Sequence, residues 1–270
     1  MVALEASGAP RILVHGHRGA RAVRPENTLP AFEYAIQAGV EALELDLAVT
    51  KDNVLVVSHD PVLPEPMCTG PGATRVIRQM TLAQLREWDC GSKPNPQFPK
   101  QQAAPGTPVP SLEEVLALAP RGKFEFNIET KIFRDKPEYT PSPEEFARLL
   151  VELIRVHRLE TRCMIQSFDF RTLAAAKKLA PRIRLSALFE TGSKDVVASA
   201  KAIGAAIVSP HMSLVNKQIV VEAHQAGMQV VPWTANTREQ WDPLIEAGVD
   251  AIISDDPAAL IAYLKQRGLR

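Results

Sequence analysis

Eight short apolar runs, near residues 12, 43, 125, 164, 185, 206, 230 and 252, recur along this 270-residue chain, and most are followed by a stretch of helical periodicity. That rhythm limits the fold more than any other feature. Parallel strands need crossover connections of a dozen or more residues, which outer helices supply. Eight such units in succession predict an α/β fold, a TIM (β/α)8 barrel; an open doubly wound sheet is the alternative with the same local signals. The spacing predicts strands at 12–14, Ala42–Val49, 123–128, Cys163–Ser167, 183–189, 205–209, 228–232 and Ala251–Ser254. Helices are predicted at Leu29–Ala38, 142–157, 170–180, 195–203, 217–226, Arg238–Ala247 and 258–267, with Gly39 as a helix stop.

One interval breaks the rhythm. Residues 61–110 hold ten of the 22 prolines and four glycines, with a single amphipathic patch at 81–88. Such a stretch is too long for an ordinary connection, so residues 1–270 read as one barrel domain carrying a lid or small subdomain at about 51–110.

The 31 basic and 31 acidic residues cancel. No long-range attraction to nucleic acid or to an anionic membrane is therefore expected from the global field. Cys68, Cys90 and Cys163 are odd in number and fit no metal or redox spacing, which points to ordinary thiols in a reducing compartment. Residues 1–10 show no basic segment followed by an apolar one, and no run approaches the roughly 18 apolar residues of a membrane span. A cytoplasmic protein without stable membrane insertion is the default expectation.

The ionisable chemistry concentrates between His17 and Asp60. Glu44 and Asp46 are two apart on a strand, so both side chains leave the same face near its C-terminal end. Adjacent carboxylates repel unless they share a proton or hold a cation. Glu129, at the end of the next barrel strand, can close a third side, and three carboxylates without a thiol favour one hard divalent cation, Mg²⁺ or Ca²⁺. Leu47 to Val57 reads as a hairpin; a two-residue turn at Asp52-Asn53 would set Asp46 opposite His59. His17 ends the first strand at the same rim, so two imidazoles stand ready as general base and general acid. Arg18 and Lys131 supply cations suited to phosphate oxygens, or else pair with neighbouring carboxylates. Asn27 either caps the helix that follows it or serves the site. Phe168 and Trp233 follow later strands, and Trp233 either walls a pocket or packs in the core. His15 points into the barrel, while surface ion pairs and a structural imidazole are the bland readings of the carboxylates and of any single histidine.

Together these residues resemble the glycerophosphodiester phosphodiesterase family. The resemblance runs in order through His17-Arg18-Gly19, Pro25-Glu26-Asn27-Thr28, Glu44-Leu45-Asp46, His59-Asp60, Asn127-Ile128-Glu129 with Lys131, Ser167-Phe168 and Trp233-Thr234-Ala235-Asn236. It implies a TIM barrel with an insertion after the second strand, a divalent ion on Glu44, Asp46 and Glu129, and His17 and His59 as base and acid. It also implies hydrolysis of a small glycerophosphodiester to glycerol 3-phosphate and an alcohol. Arg18, Lys131, Phe168 and Trp233 are expected on the substrate from their placement at the rim. The run Pro61-Val62-Leu63-Pro64-Glu65-Pro66 departs from the family pattern, as do Asn53 and Thr130. Rival readings are a lysophospholipase D or phosphoinositide phospholipase-like enzyme on the same barrel, or a phosphate-ligand binding protein.

Overall fold

The computed structural model describes residues 11–270. The expectation that residues 1–10 carry no targeting segment therefore lies outside the described residues. In chain order the elements are β1 (Leu13–Gly16), α1 (Leu29–Ala38), β2 (Ala42–Val49), β3 (Leu55–Val57), α2 (Leu82–Leu85), α3 (Leu112–Leu116), β4 (Glu125–Thr130) and α4 (Pro143–Val156). There follow β5 (Cys163–Ser167), α5 (Phe170–Leu179), β6 (Arg184–Phe189), α6 (Val196–Ala202), β7 (Ile207–Pro210), α7 (Lys217–Gln225), β8 (Gln229–Val230), α8 (Arg238–Ala247), β9 (Ala251–Ser254) and α9 (Pro257–Gln266).

All eight predicted barrel strands form, pairing in parallel in the order β8-β7-β6-β5-β4-β2-β1-β9. The first and last of that series join through backbone bonds: the Asp250 N–H donates to the Val230 carbonyl at 3.1 Å and the Ile253 N–H to the Pro232 carbonyl at 3.0 Å. The sheet thus closes into the TIM barrel, and the open-sheet alternative falls away.

Alternation along the strands sorts the residues. On β2, Leu43, Leu45, Leu47 and Val49 face outward into the main core, where they pack with the helices. Glu44, Asp46 and Ala48 take the opposite face. Inside the barrel, Met164, Ile207, Val231, Ala251 and Ile253 form a separate apolar layer. Outer helices are set by local signals: Thr28 precedes α1, Pro30 lies in its first turn, and Gly39 ends it in the left-handed conformation at φ 90°.

His15 points into the barrel as expected and is buried, with its pKa pushed down to about 3 by burial and then by Arg184. An unfolded chain binds that proton near pH 6.5 while the folded chain refuses it, so folding stability falls as pH drops from about 6.5 towards 3. The urea midpoint of the protein is expected to fall between pH 7 and pH 5. His15→Met is expected to flatten that slope, measured by fluorescence-monitored unfolding.

Two expectations are corrected. The hairpin from β2 to β3 pairs Leu47 with Val57 and Val49 with Leu55, so its connection holds three residues, Lys51, Asp52 and Asn53. Asn53 adopts φ 61°, the left-handed residue that ends a three-residue loop, and the Thr50 and Val54 backbones pair across it. Ser58, not His59, therefore stands opposite Asp46, its N–H donating to the Asp46 carbonyl at 3.0 Å.

The second correction concerns the cysteines. Cys68 and Cys90 form a disulfide, and only Cys163 is a free thiol, buried, with its pKa pushed up to about 12 by burial. Antiparallel pairing of Thr69 with Asp89 brings the two chain segments together, a long-range contact that a 22-residue separation does not announce. Disulfides persist in oxidising compartments, so the cysteine count no longer supports a reducing one. No helix among the described residues is long and apolar enough to cross a membrane.

The disulfide ties an insertion with its own small core, in which Leu63, Ile77, Met80, Leu85, Trp88 and Val109 pack on Ala48 and Val56. Closing a loop of this length restricts the unfolded chain by about 3 kcal/mol. Cys90→Ser is accordingly expected to lower the melting temperature. In hydrogen exchange the loss is expected to fall in residues 61–110 and to spare the barrel strands.

Candidate active site

The site lies where the barrel strands end, the rim at which loops after each strand converge. Pairing register sets Asp46 beside Glu129 and Glu129 beside Gln166, which brings residues from three strands onto one level. Glu44, Asp46 and Glu129 are all buried, and a carboxylate oxygen from each lies within 4.8 Å of the others.

Their surroundings hold them apart electrically. Burial, then repulsion by Asp46 and Glu129, pushes the Glu44 pKa well above the ordinary carboxylate range. Burial also raises Glu129, to about 7, against the pull of Lys131. Asp46 goes the other way: burial is outweighed by Lys131 and Arg18, and its pKa lies well below the usual value. The Lys131 ammonium stands 3.1 Å from Asp46 Oδ1 and 2.6 Å from Glu129 Oε1. Lys131 and Glu129 thus share one side across buried Thr130, as period-2 alternation requires. Arg18 Nε lies 3.1 Å from Asp46 Oδ2, and its Nη1 donates to Glu26 at 2.7 Å.

The turn after β1 is built around backbone conformation. Arg18 and Gly19 both have positive φ, at 48° and 82°, and a Cβ on Gly19 would come within 2.7 Å of the Ala31 backbone. Glycine at 19 lets the turn sit against α1, so the Arg18 N–H donates to Glu44 Oε2 at 2.9 Å. Asn27, at φ 57°, belongs to the site: its amide donates to Asp46 Oδ2 at 2.9 Å, and Thr28 occupies the helix cap.

His17 and His59 both reach this rim. His17 Nδ1 is 2.5 Å from Asp255 Oδ1, and its Nε2 lies 3.9 Å from Glu44 Oε2. Burial, opposed by the Asp255 bond, lowers the His17 pKa, so the ring is neutral near pH 7. His59 Nδ1 bonds Asp60 Oδ1 at 2.8 Å. Despite the one-residue shift in the hairpin, His59 lines a cleft of about 450 Å³ together with His17, Glu44 and Glu129. Phe168 and Trp233 wall the same cleft edge to face, centroids 5.5 Å apart, and the Trp233 indole N–H donates to the Ser209 carbonyl at 3.1 Å.

Three roles escaped the sequence reading. Asp255 follows β9 and holds His17; Asn236 donates to Asp255 Oδ2 at 2.7 Å; Gln166 donates to Glu44 Oε1 at 2.7 Å. Asn236 lies in the run that carries the family resemblance and Gln166 in the predicted strand Cys163–Ser167, but spacing alone assigns neither a partner. For Asp255 the signal was position alone, a carboxylate directly after the last barrel strand.

The residues fit a hard cation. The donors are all carboxylate oxygens, their mutual repulsion calls for positive charge, and the Gln166 amide oxygen beside them is buried without a hydrogen-bond partner.

The fold and this rim define an α/β-barrel enzyme with an acidic, cation-ready centre flanked by two imidazoles. Residues 17–259 match the model of the glycerophosphoryl diester phosphodiesterase family. The chain belongs to that family. It is 32% identical over 258 residues, 96% of its length and all of the relative's, to a glycerophosphodiester phosphodiesterase of Caldanaerobacter subterraneus subsp. tengcongensis. A crystal structure from Silicibacter pomeroyi, assigned as a candidate glycerophosphoryl diester phosphodiesterase, superimposes with a TM-score of 0.89 at 31% identity, covering 97% of this chain and 96% of that one. A phosphodiesterase from Oleispira antarctica, solved with the product sn-glycerol-3-phosphate, gives 0.80 at 25% identity over 94% and 97% of the two chains.

Proposed function

We propose that the protein hydrolyses small glycerophosphodiesters to glycerol 3-phosphate and an alcohol, with one divalent cation, Mg²⁺ or Ca²⁺, and with His17 and His59 as the proton-transfer pair. The observation that carries the reading is the meeting of Glu44, Asp46 and Glu129 at one rim with both histidines, in a chain of this family.

Glu44, Asp46 and Glu129 would hold the cation, which when bound draws negative charge from the phosphate oxygens and so stabilises the transition state. The residues of the chain do the rest. Arg18 and Lys131, already fixed on Asp46, present positive charge to the phosphate without reorganising. His17, kept neutral by burial and aimed by Asp255, accepts the proton of the attacking hydroxyl. His59, which lines the same cleft, protonates the departing alcohol. Phe168 and Trp233 offer flat apolar walls to the glycerol carbons.

The test is direct. The protein, with Mg²⁺ or Ca²⁺, is given glycerophosphoglycerol, glycerophosphoinositol, glycerophosphocholine and a lysophospholipid; glycerol 3-phosphate release is followed by a coupled dehydrogenase, and lysophosphatidate release from the lysophospholipid by mass spectrometry. Release from the water-soluble diesters is the expected result. Turnover confined to the lysophospholipid would replace this reading with the lysophospholipase D one.

A further inference from the structure

A second cleft, of about 510 Å³, opens between the insertion and the rim. Arg18, Arg21 and His59 line both clefts, whereas His17, Phe168 and Trp233 line only the first. A nucleophile and a leaving group take opposite sides of a phosphorus in an in-line displacement. With the base His17 on the aromatic side, the departing alcohol lies on the side that His59 shares with the insertion.

The lining of this second cleft is selective. Its carboxylates are engaged: Glu26 with Arg18 at 2.7 Å and Arg21 at 3.2 Å, Asp60 with His59 at 2.8 Å, Glu65 with Arg75 at 3.1 Å. Among the described residues no Phe, Tyr or Trp lines it, so a quaternary ammonium would find neither an aromatic face nor a free negative charge. The Lys93 ammonium and the Gln97 amide, both exposed and both lining the cleft, carry no side-chain hydrogen bond among the described residues and can serve hydroxyl groups.

We propose that this insertion-lined cleft receives the leaving alcohol and selects a neutral polyol, of the glycerol or inositol kind, over a quaternary ammonium alcohol; the inference rests on the reaction proposed above. In that reaction the phosphorus–oxygen bond to the polyol breaks, the polyol oxygen leaves with a proton from His59, and one water is consumed overall.

The experiment compares kcat/KM for glycerophosphoinositol, glycerophosphoglycerol, glycerophosphocholine and the p-nitrophenyl diester of glycerol phosphate, in the parent and in the Lys93→Leu/Gln97→Leu variant. The parent is expected to favour the two polyol diesters over glycerophosphocholine by about tenfold, the scale of one or two hydrogen bonds. The variant is expected to lose about that factor on the polyol diesters and less than about twofold on the other two substrates, as a lost hydroxyl contact alone requires. Glycerophosphocholine cleaved as fast as the polyol diesters by the parent, or an equal loss on all four substrates in the variant, overturns the assignment of the cleft alone. No glycerol 3-phosphate from any diester overturns the underlying reaction, and the cleft assignment with it.

Discussion

His59→Ala is expected to lower kcat on glycerophosphodiesters of alkyl alcohols by about 10²–10⁴-fold, the usual worth of a positioned general acid. An alkyl alcohol is a poor leaving group and needs its proton as the bond breaks. The p-nitrophenyl diester does not, because its phenolate leaves unprotonated, so the same variant should lose far less on that substrate. His17→Ala is expected to fall by a similar factor on both substrates, since the attacking hydroxyl must be deprotonated whichever group departs. Asp255→Asn should behave as a milder His17 variant: the carboxylate that bonds Nδ1 also sets which nitrogen carries the proton. Steady-state kinetics on the paired substrates separate the three. Equal losses for His59→Ala on alkyl and p-nitrophenyl esters would remove His59 from the departing oxygen.

Glu44→Gln, or treatment of the parent with EDTA, is expected to abolish measurable turnover, a loss on the order of 10³-fold or more, while leaving the fold intact. The two effects diverge for a physical reason. Glu44 is buried beside two other carboxylates, and its pKa is pushed well above the usual range by burial and by those neighbours. A neutral amide of the same shape relieves that repulsion, so the cation-free variant should melt no lower than the cation-free parent. Added Mg²⁺ or Ca²⁺ should raise the parent's melting temperature by mass action and leave that of Glu44→Gln nearly unmoved. A parent that turns over fully in EDTA, or a variant still stabilised by the cation, would defeat the proposed role of the three carboxylates.

Much of this architecture was legible from local chemistry. Strand periodicity alone put Glu44 and Asp46 on one face, and the βα rhythm placed Glu129 one strand away, because both follow from rules acting over a few residues. The hairpin register was not legible to a single residue. Asn53 accepts the left-handed conformation, which turns a two-residue loop into a three-residue one and shifts the partner of Asp46 to Ser58. The disulfide was missed because its two cysteines meet through a bridge between Thr69 and Asp89 inside a proline-dense insertion without periodic pattern. Asn27 illustrates an ambiguity that only packing resolves: its place before a helix suits a cap, and its amide turns instead to Asp46.

The bond between His17 and Asp255 spans 238 positions and depends on β9 lying against β1. During synthesis the imidazole and most of the acidic centre leave the ribosome well before the carboxylate that bonds the ring, 238 positions further on. A nascent chain therefore holds an imidazole without its carboxylate partner until β9 has docked against β1, so completion of the site waits on that strand.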